Sequence, residues 1–144
     1  MDVDMVLVPV DGSEAAMEAA EYAVAIADRY DAAVHALYML GEYAAVAMDA
    51  GAVEAAAIAE QGEQVMATVR ALAGDVGVDH SSACGFSVSR LSQHPGSVIL
   101  DVSEAIDADF VVSPRQPVTG APEAVIEKAA EYVLAYASQP VLSV

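Results

Sequence analysis

The sequence predicts an α/β protein in which a doubly wound parallel sheet of five strands carries helices on both faces. Apolar runs without polar alternation, such as residues 5–10, are typical of strands covered on both faces. Alanine-rich segments of crossover length separate these runs, which gives the order β-α-β-α-β-α-β-α-β. The 144 residues are enough for one domain with a sizeable core, and no internal repeat or boundary divides residues 1–144.

The elements follow from the periodicity of the apolar residues. The predicted strands lie at residues 5–10, 33–40, within 76–90, 108–113 and 140–144. The predicted helices lie at residues 13–29, about 42–73, 98–106 and 125–137. Ser13 is the expected N-cap of the first helix, and Pro122 is expected in the first turn of the last one. Within 76–90, the apolar residues that suggest the third strand are Val78, Cys84, Phe86 and Val88.

The chain is strongly acidic, with 22 acidic against 5 basic residues and a formal net charge of −17. Binding to nucleic acid or to an anionic membrane surface is not expected, because neutralising phosphates needs clustered Lys and Arg. The acids are spread through helical segments rather than gathered in a tail. We therefore expect a halophilic protein that needs molar salt, where a Debye length of about 3 Å screens the self-repulsion of its surface.

Location and redox state follow from equally simple features. No apolar run approaches the roughly 20 residues that a spanning helix needs. The single cysteine, Cys84, cannot form an internal disulfide, and the N-terminus shows no signal-peptide pattern. We expect a cytoplasmic protein in which Cys84 is an inert core residue.

The sequence offers little support for catalysis. The three histidines, His35, His80 and His94, lie in separate segments without metal-ligand spacing, so no metal site is expected. Ser13 lies near Asp11, but no histidine or lysine is placed by sequence to act as its base. The protein is therefore expected not to be an enzyme.

Several segments together resemble the universal stress protein family over essentially the whole chain. They are Val-Pro-Val-Asp-Gly-Ser-Glu at 8–14, His-Pro-Gly at 94–96 running through Ile99 to Asp109, Ala-Asp-Phe-Val-Val at 108–112 and Pro-Val-Leu-Ser-Val at 140–144. The resemblance implies the adenine nucleotide alpha hydrolase-like fold, with strand order 3-2-1-4-5 and the first strand at the centre. Ligands in such sheets bind outside the carboxyl ends of the strands, where the strand order reverses. The turn 11–13 and the loop 113–120 would face each other there.

The phosphate-binding motif of this family is degenerate in the present chain. Family members that bind ATP resemble one another in a Gly-x2-Gly-x9-Gly-Ser/Thr loop, whose defining positions are here Pro114, Pro117, Glu127 and Lys128. Proline has no N–H to donate and cannot supply the backbone freedom of glycine. The resemblance therefore implies a protein that has lost strong ATP binding.

Three residues remain as candidates for a nucleotide site. Asp11 matches the family's acid near the nucleoside, and Met39 matches the position beside the adenine. Arg115 is the one cation near the predicted crevice. Each also has a structural interpretation: Asp11 as a residue that binds turn amides and helps to cap the helix, Met39 as a core or pocket-lining residue, and Arg115 as a solvated loop residue.

The leading functional hypothesis is a non-enzymatic stress-response homodimer. The terminal strand lies at a sheet edge, which commonly pairs with a partner, and the resemblance implies pairing of two such edges through Val141 and Val144. One alternative is a nucleotide-binding switch or slow ATPase with ATP held through Asp11, Met39 and Arg115. A module that recruits an unknown protein partner is the other alternative.

Overall fold

The structure is a computed structural model that describes residues 2–40, 51, 55–84, 95–114 and 125–144. Several sequence predictions lie outside the described residues. They concern the start of the second helix, the third-strand positions Phe86 and Val88, the turn at His94, and the loop with Arg115, Pro117 and Pro122.

Five strands and four helices alternate along the described chain. The strands are β1 (Met5–Val10), β2 (Ala33–Leu40), β3 (Val78–Cys84), β4 (Phe110–Ser113) and β5 (Val141–Ser143). The helices are α1 (Glu14–Tyr30), α2 (Ala55–Ala73), α3 (Pro95–Ala105) and α4 (Val125–Tyr136). The predicted order of elements is confirmed.

The sheet is parallel throughout and has the order β3-β2-β1-β4-β5. Helices cover both faces, because α1 packs with α2 while α3 packs with α4. The order reverses between β1 and β4, and both the fold class and the strand order are confirmed.

The central strand β1 lies at the middle of the hydrophobic core. Its side chains from Val6 to Val10 are buried, which explains the absence of polar alternation in this run. Helix α1 covers the strand with alanines, since Ala16, Ala20 and Ala23 are fully buried. Small side chains on this face let the helix approach the sheet closely.

A tight contact joins the helices on the other face. A Cβ atom added to Gly96 of α3 would lie 2.6 Å from the Cβ of Tyr132 on α4. Only glycine allows these two helices to approach so closely, because real Cβ atoms do not reach that distance.

The fourth strand begins at Phe110 rather than at Ala108. The preceding residues close α3 and brace the sheet instead: the amide of Ala108 donates to the carbonyl of Ser103 at 2.9 Å. The Asp109 carboxylate accepts hydrogen bonds from the amides of Asp4 at 2.8 Å and Met5 at 3.1 Å. Asp109 thus fixes the start of β1 against the start of β4.

Candidate functional site

A cleft lies between the turn that follows β1 and helix α2, next to the carboxyl end of β2. Its volume is about 430 Å³. The residues that line it are Asp11, Gly12, Met17, Tyr38, Gln61, Gln64, Val65 and Thr68. The cleft therefore occupies the edge of the sheet at which open α/β proteins bind ligands.

The β1–α1 turn is shaped by two local hydrogen bonds. Asp11 Oδ1 accepts from the amide of Ser13 at 3.0 Å, and Ser13 Oγ accepts from the amide of Ala16 at 3.1 Å. Gly12 has φ +84, a conformation that L side chains rarely adopt. The predicted N-cap at Ser13 is confirmed, and Asp11 both stabilises the turn and lines the cleft.

Tyr38 forms the buried side of the cleft. Its ring packs on Gly62 of α2, where an added Cβ would lie 3.3 Å from the ring carbon Cδ1. Burial, followed by the negative charge of Asp11, raises the pKa of Tyr38 above its ordinary value of 10.0. The phenol therefore stays neutral at physiological pH and can both donate and accept a hydrogen bond.

Helix α2 contributes the outer wall of the cleft. Four residues of this helix line the cleft, and their spacings of three, one and three residues place them on one side of the helix: Gln61, Gln64, Val65 and Thr68. Thr68 Oγ1 donates to the backbone carbonyl of Gln64 at 3.2 Å. The wall is thus polar but uncharged.

The three candidates from the sequence lie in different environments. Asp11 lines the cleft, whereas the Met39 side chain is buried in the core with 1% exposure. Successive strand residues face opposite sides of a sheet, so Met39 points away from the cleft that its neighbour Tyr38 lines. Arg115 lies outside the described residues.

The described lining carries one charge, the carboxylate of Asp11, and no cation. At the reversal of strand order, β4 is followed by buried Pro114, whose nitrogen has no hydrogen to donate. The described part of this edge therefore offers an anionic ligand no cation, and at Pro114 no backbone amide.

His35 lies on β2 outside the cleft. Its Nε2 is 2.8 Å from Ser81 Oγ on β3. Burial lowers the pKa of His35 and the neighbouring His80 adds to this effect, while Asp79 opposes both.

Within the ranges that the structure describes, no three His, Cys, Asp or Glu side chains come together to hold a metal ion. The described helices include none with the length and apolarity needed to cross a membrane.

The sheet order defines a doubly wound α/β protein, and its cleft lies at the carboxyl edge where such proteins bind small ligands. The sequence profile of the universal stress protein family matches residues 3–144, and the chain belongs to that family. A universal stress protein of Methanocaldococcus jannaschii is 30% identical over 142 residues, which cover 96% of this chain and 80% of the relative.

Solved structures share the fold at lower sequence identity. The universal stress protein UspA from Lactobacillus plantarum aligns with a TM-score of 0.71 and 22% identity, over 100% of this chain and 99% of its own. A universal stress protein from Archaeoglobus fulgidus, in complex with dAMP, aligns with a TM-score of 0.63 and 17% identity, over 98% of this chain and 96% of its own. These likenesses agree with the adenine nucleotide alpha hydrolase-like fold.

Proposed function

We propose that this member of the universal stress protein family is a non-enzymatic, regulatory homodimer of the cytoplasm that no longer binds ATP strongly. The observation that carries the proposal is the buried Pro114 at the carboxyl end of β4, where an amide donor is missing. Pro117, at the second glycine position of the family pattern, lacks an amide hydrogen as well. Hydrogen bonds to charged groups contribute roughly 1.5–3 kcal/mol each, so the loss of these two weakens binding by orders of magnitude.

Calorimetry with ATP and Mg²⁺ tests the loss of binding. The Archaeoglobus fulgidus relative, titrated with dAMP in the same buffer, is the positive control. We expect no binding of ATP below millimolar concentration, and a sub-millimolar affinity would contradict the proposal. The absorbance at 260 nm of the denatured, purified protein gives an independent check for a retained nucleotide.

The homodimer is proposed from the edge strand. In the described sheet β5 pairs with β4 on one side, and its residues from Val141 to Val144 are only partly buried. An edge strand presents unpaired backbone groups that a second copy can satisfy. Light scattering in molar KCl should give twice the chain mass of 14.8 kDa.

A charge at the chain end separates edge pairing from other contacts. The variant Val144→Lys should shift the protein toward the monomer, while Ala105→Lys at an exposed position of α3 should not. Circular dichroism must show that both variants are folded. A monomeric wild-type protein in high salt would rule the homodimer out.

A nucleotide-binding switch or slow ATPase is the second candidate. It is favoured by Asp11 in the cleft and by the dAMP complex of the Archaeoglobus fulgidus relative. Phosphate release from ATP, measured with the wild type and Asp11→Asn, distinguishes it from the first candidate. Release that depends on Asp11 would favour the ATPase. ATP binding without release would favour the switch, and absence of both would favour the first candidate.

A further inference from the structure

We propose that the cleft between the β1–α1 turn and α2 binds a small aliphatic amine, whose ammonium group pairs with Asp11. The first argument is charge. Asp11 is the only Asp, Glu, His, Lys or Arg among the described residues that line the cleft. A ligand that covers this half-buried carboxylate without pairing with it removes water from the charge, which costs free energy. A cation avoids that cost, and the net charge of −17 raises the local concentration of cations.

The second argument is the supply of hydrogen-bond acceptors. Tyr38, Gln61 and Gln64, which line the same cleft as Asp11, each carry a side-chain oxygen that can accept a hydrogen bond. Thr68 donates its hydroxyl hydrogen to the carbonyl of Gln64, so its oxygen can act toward a ligand only as an acceptor. An ammonium group has three donors and can therefore bond to the carboxylate and to two of these oxygens at once, whereas a neutral hydroxyl has only one donor.

The geometry of Asp11 favours an ammonium over a guanidinium. Its Oδ1 already accepts the amide of Ser13, which ties that oxygen to the turn. A guanidinium binds best through two parallel hydrogen bonds to both carboxylate oxygens, whereas an ammonium is a compact point charge that one oxygen can satisfy.

The remaining lining suits an aliphatic body. Met17 and Val65 present apolar surface between the polar groups. The volume of about 430 Å³ falls within the range of roughly 300–1,000 Å³ for small-molecule sites. A short methylene chain can cover this surface while its terminal nitrogens remain among the oxygens.

Three ligands of equal chain length test the inference. Putrescine (1,4-diaminobutane) is a cation, 1,4-butanediol is neutral and succinate is an anion. We expect putrescine to shift the NMR signal of the Met17 methyl group, butanediol to bind more weakly and succinate not to bind. Titrations in molar KCl suppress non-specific attraction to the acidic surface. Equal binding of butanediol and putrescine would overturn the proposed role of charge.

Two variants with the same change in charge locate the site. Asp11→Asn keeps an oxygen for the amide of Ser13 but removes the charge, and should weaken putrescine binding about tenfold or more. Glu18→Gln changes an exposed acid on α1 and should leave binding unchanged. Equal weakening by both variants, or none by Asp11→Asn, would refute a site at Asp11. These titrations contain no ATP, so their outcome is independent of the proposed loss of ATP binding.

Discussion

Replacing Asp109 with alanine removes the acceptor that holds the start of β1. Its Oδ2 receives the amides of Asp4 at 2.8 Å and Met5 at 3.1 Å. A hydrogen bond to a charged group contributes about 1.5–3 kcal/mol to the free energy of unfolding. The Asp4 amide is exposed and can bond to water instead, so most of the loss comes from the partly buried Met5 amide. We expect Asp109→Ala to lower the free energy of unfolding by about 2 kcal/mol.

Asp109→Asn distinguishes the acceptor from its charge. The carboxamide oxygen can occupy the same position and accept the same amides, but it is neutral. Neutral hydrogen bonds contribute about 0.5–1.5 kcal/mol, so this variant should lose about 1 kcal/mol. The order of stability should be wild type, then Asp109→Asn, then Asp109→Ala.

Urea unfolding in molar KCl, followed by circular dichroism, measures these differences. Asp101→Ala is the matched control, because it removes the same charge from an exposed position of α3 and introduces a good helix former. It should not lower the unfolding midpoint. If Asp109→Ala and Asp101→Ala unfold at the same urea concentration, the proposed anchoring role of Asp109 is wrong.

Three further predictions concern stability. Gly96→Ala forces a Cβ against Tyr132 and should cost about 1–3 kcal/mol in urea unfolding; an unchanged midpoint would mean that α3 and α4 separate freely. Ser13→Ala removes the N-cap of α1 and should cost about 1 kcal/mol, with Ser13→Thr as the control that keeps the hydroxyl. Burial lowers the pKa of His35 in the folded state below its ordinary value of 6.5. As the pH drops below 6.5, His35 therefore becomes protonated more readily in the unfolded chain than in the folded one, and the free energy of unfolding falls. His35→Gln should reduce this fall between pH 7.5 and 5.5, and an identical pH dependence would contradict the assignment to His35.

The fold was largely predictable because its signals are local. Residues 5–10 are apolar without alternation, and a strand with this pattern has to be covered on both faces. Ser13 was identifiable as an N-cap because its hydroxyl acts on an amide three residues away. Element boundaries were less accurate where a distant partner decides them. Ala108 was expected in β4, but its amide donates to the nearby carbonyl of Ser103 in α3. The distant partner is the start of β1, whose amides donate to the carboxylate of Asp109.

The candidate site was only partly predictable. Asp11 was found because it follows a buried strand at the edge where ligands bind. Tyr38 was missed as a cleft residue. Adjacent strand residues face opposite sides of a sheet, so this alternation could have shown that Tyr38 and Met39 do not both face the cleft. The polar wall of α2 was missed as well, because the spacing of Gln61, Gln64 and Thr68 indicates a shared helix side without indicating what that side faces.

The sequence alone therefore determined the alternation of strands and helices, the cap of α1, the acidic character and the family resemblance, since these depend on composition and on residues close along the chain. The tertiary structure decided which polar groups meet. Asp11, Tyr38 and α2 form one cleft because the parallel strands β1 and β2 end at the same edge and α2 packs beside them. Met39, one residue from Tyr38, lies in the core instead, because the pleat of β2 sends adjacent side chains to opposite faces of the sheet.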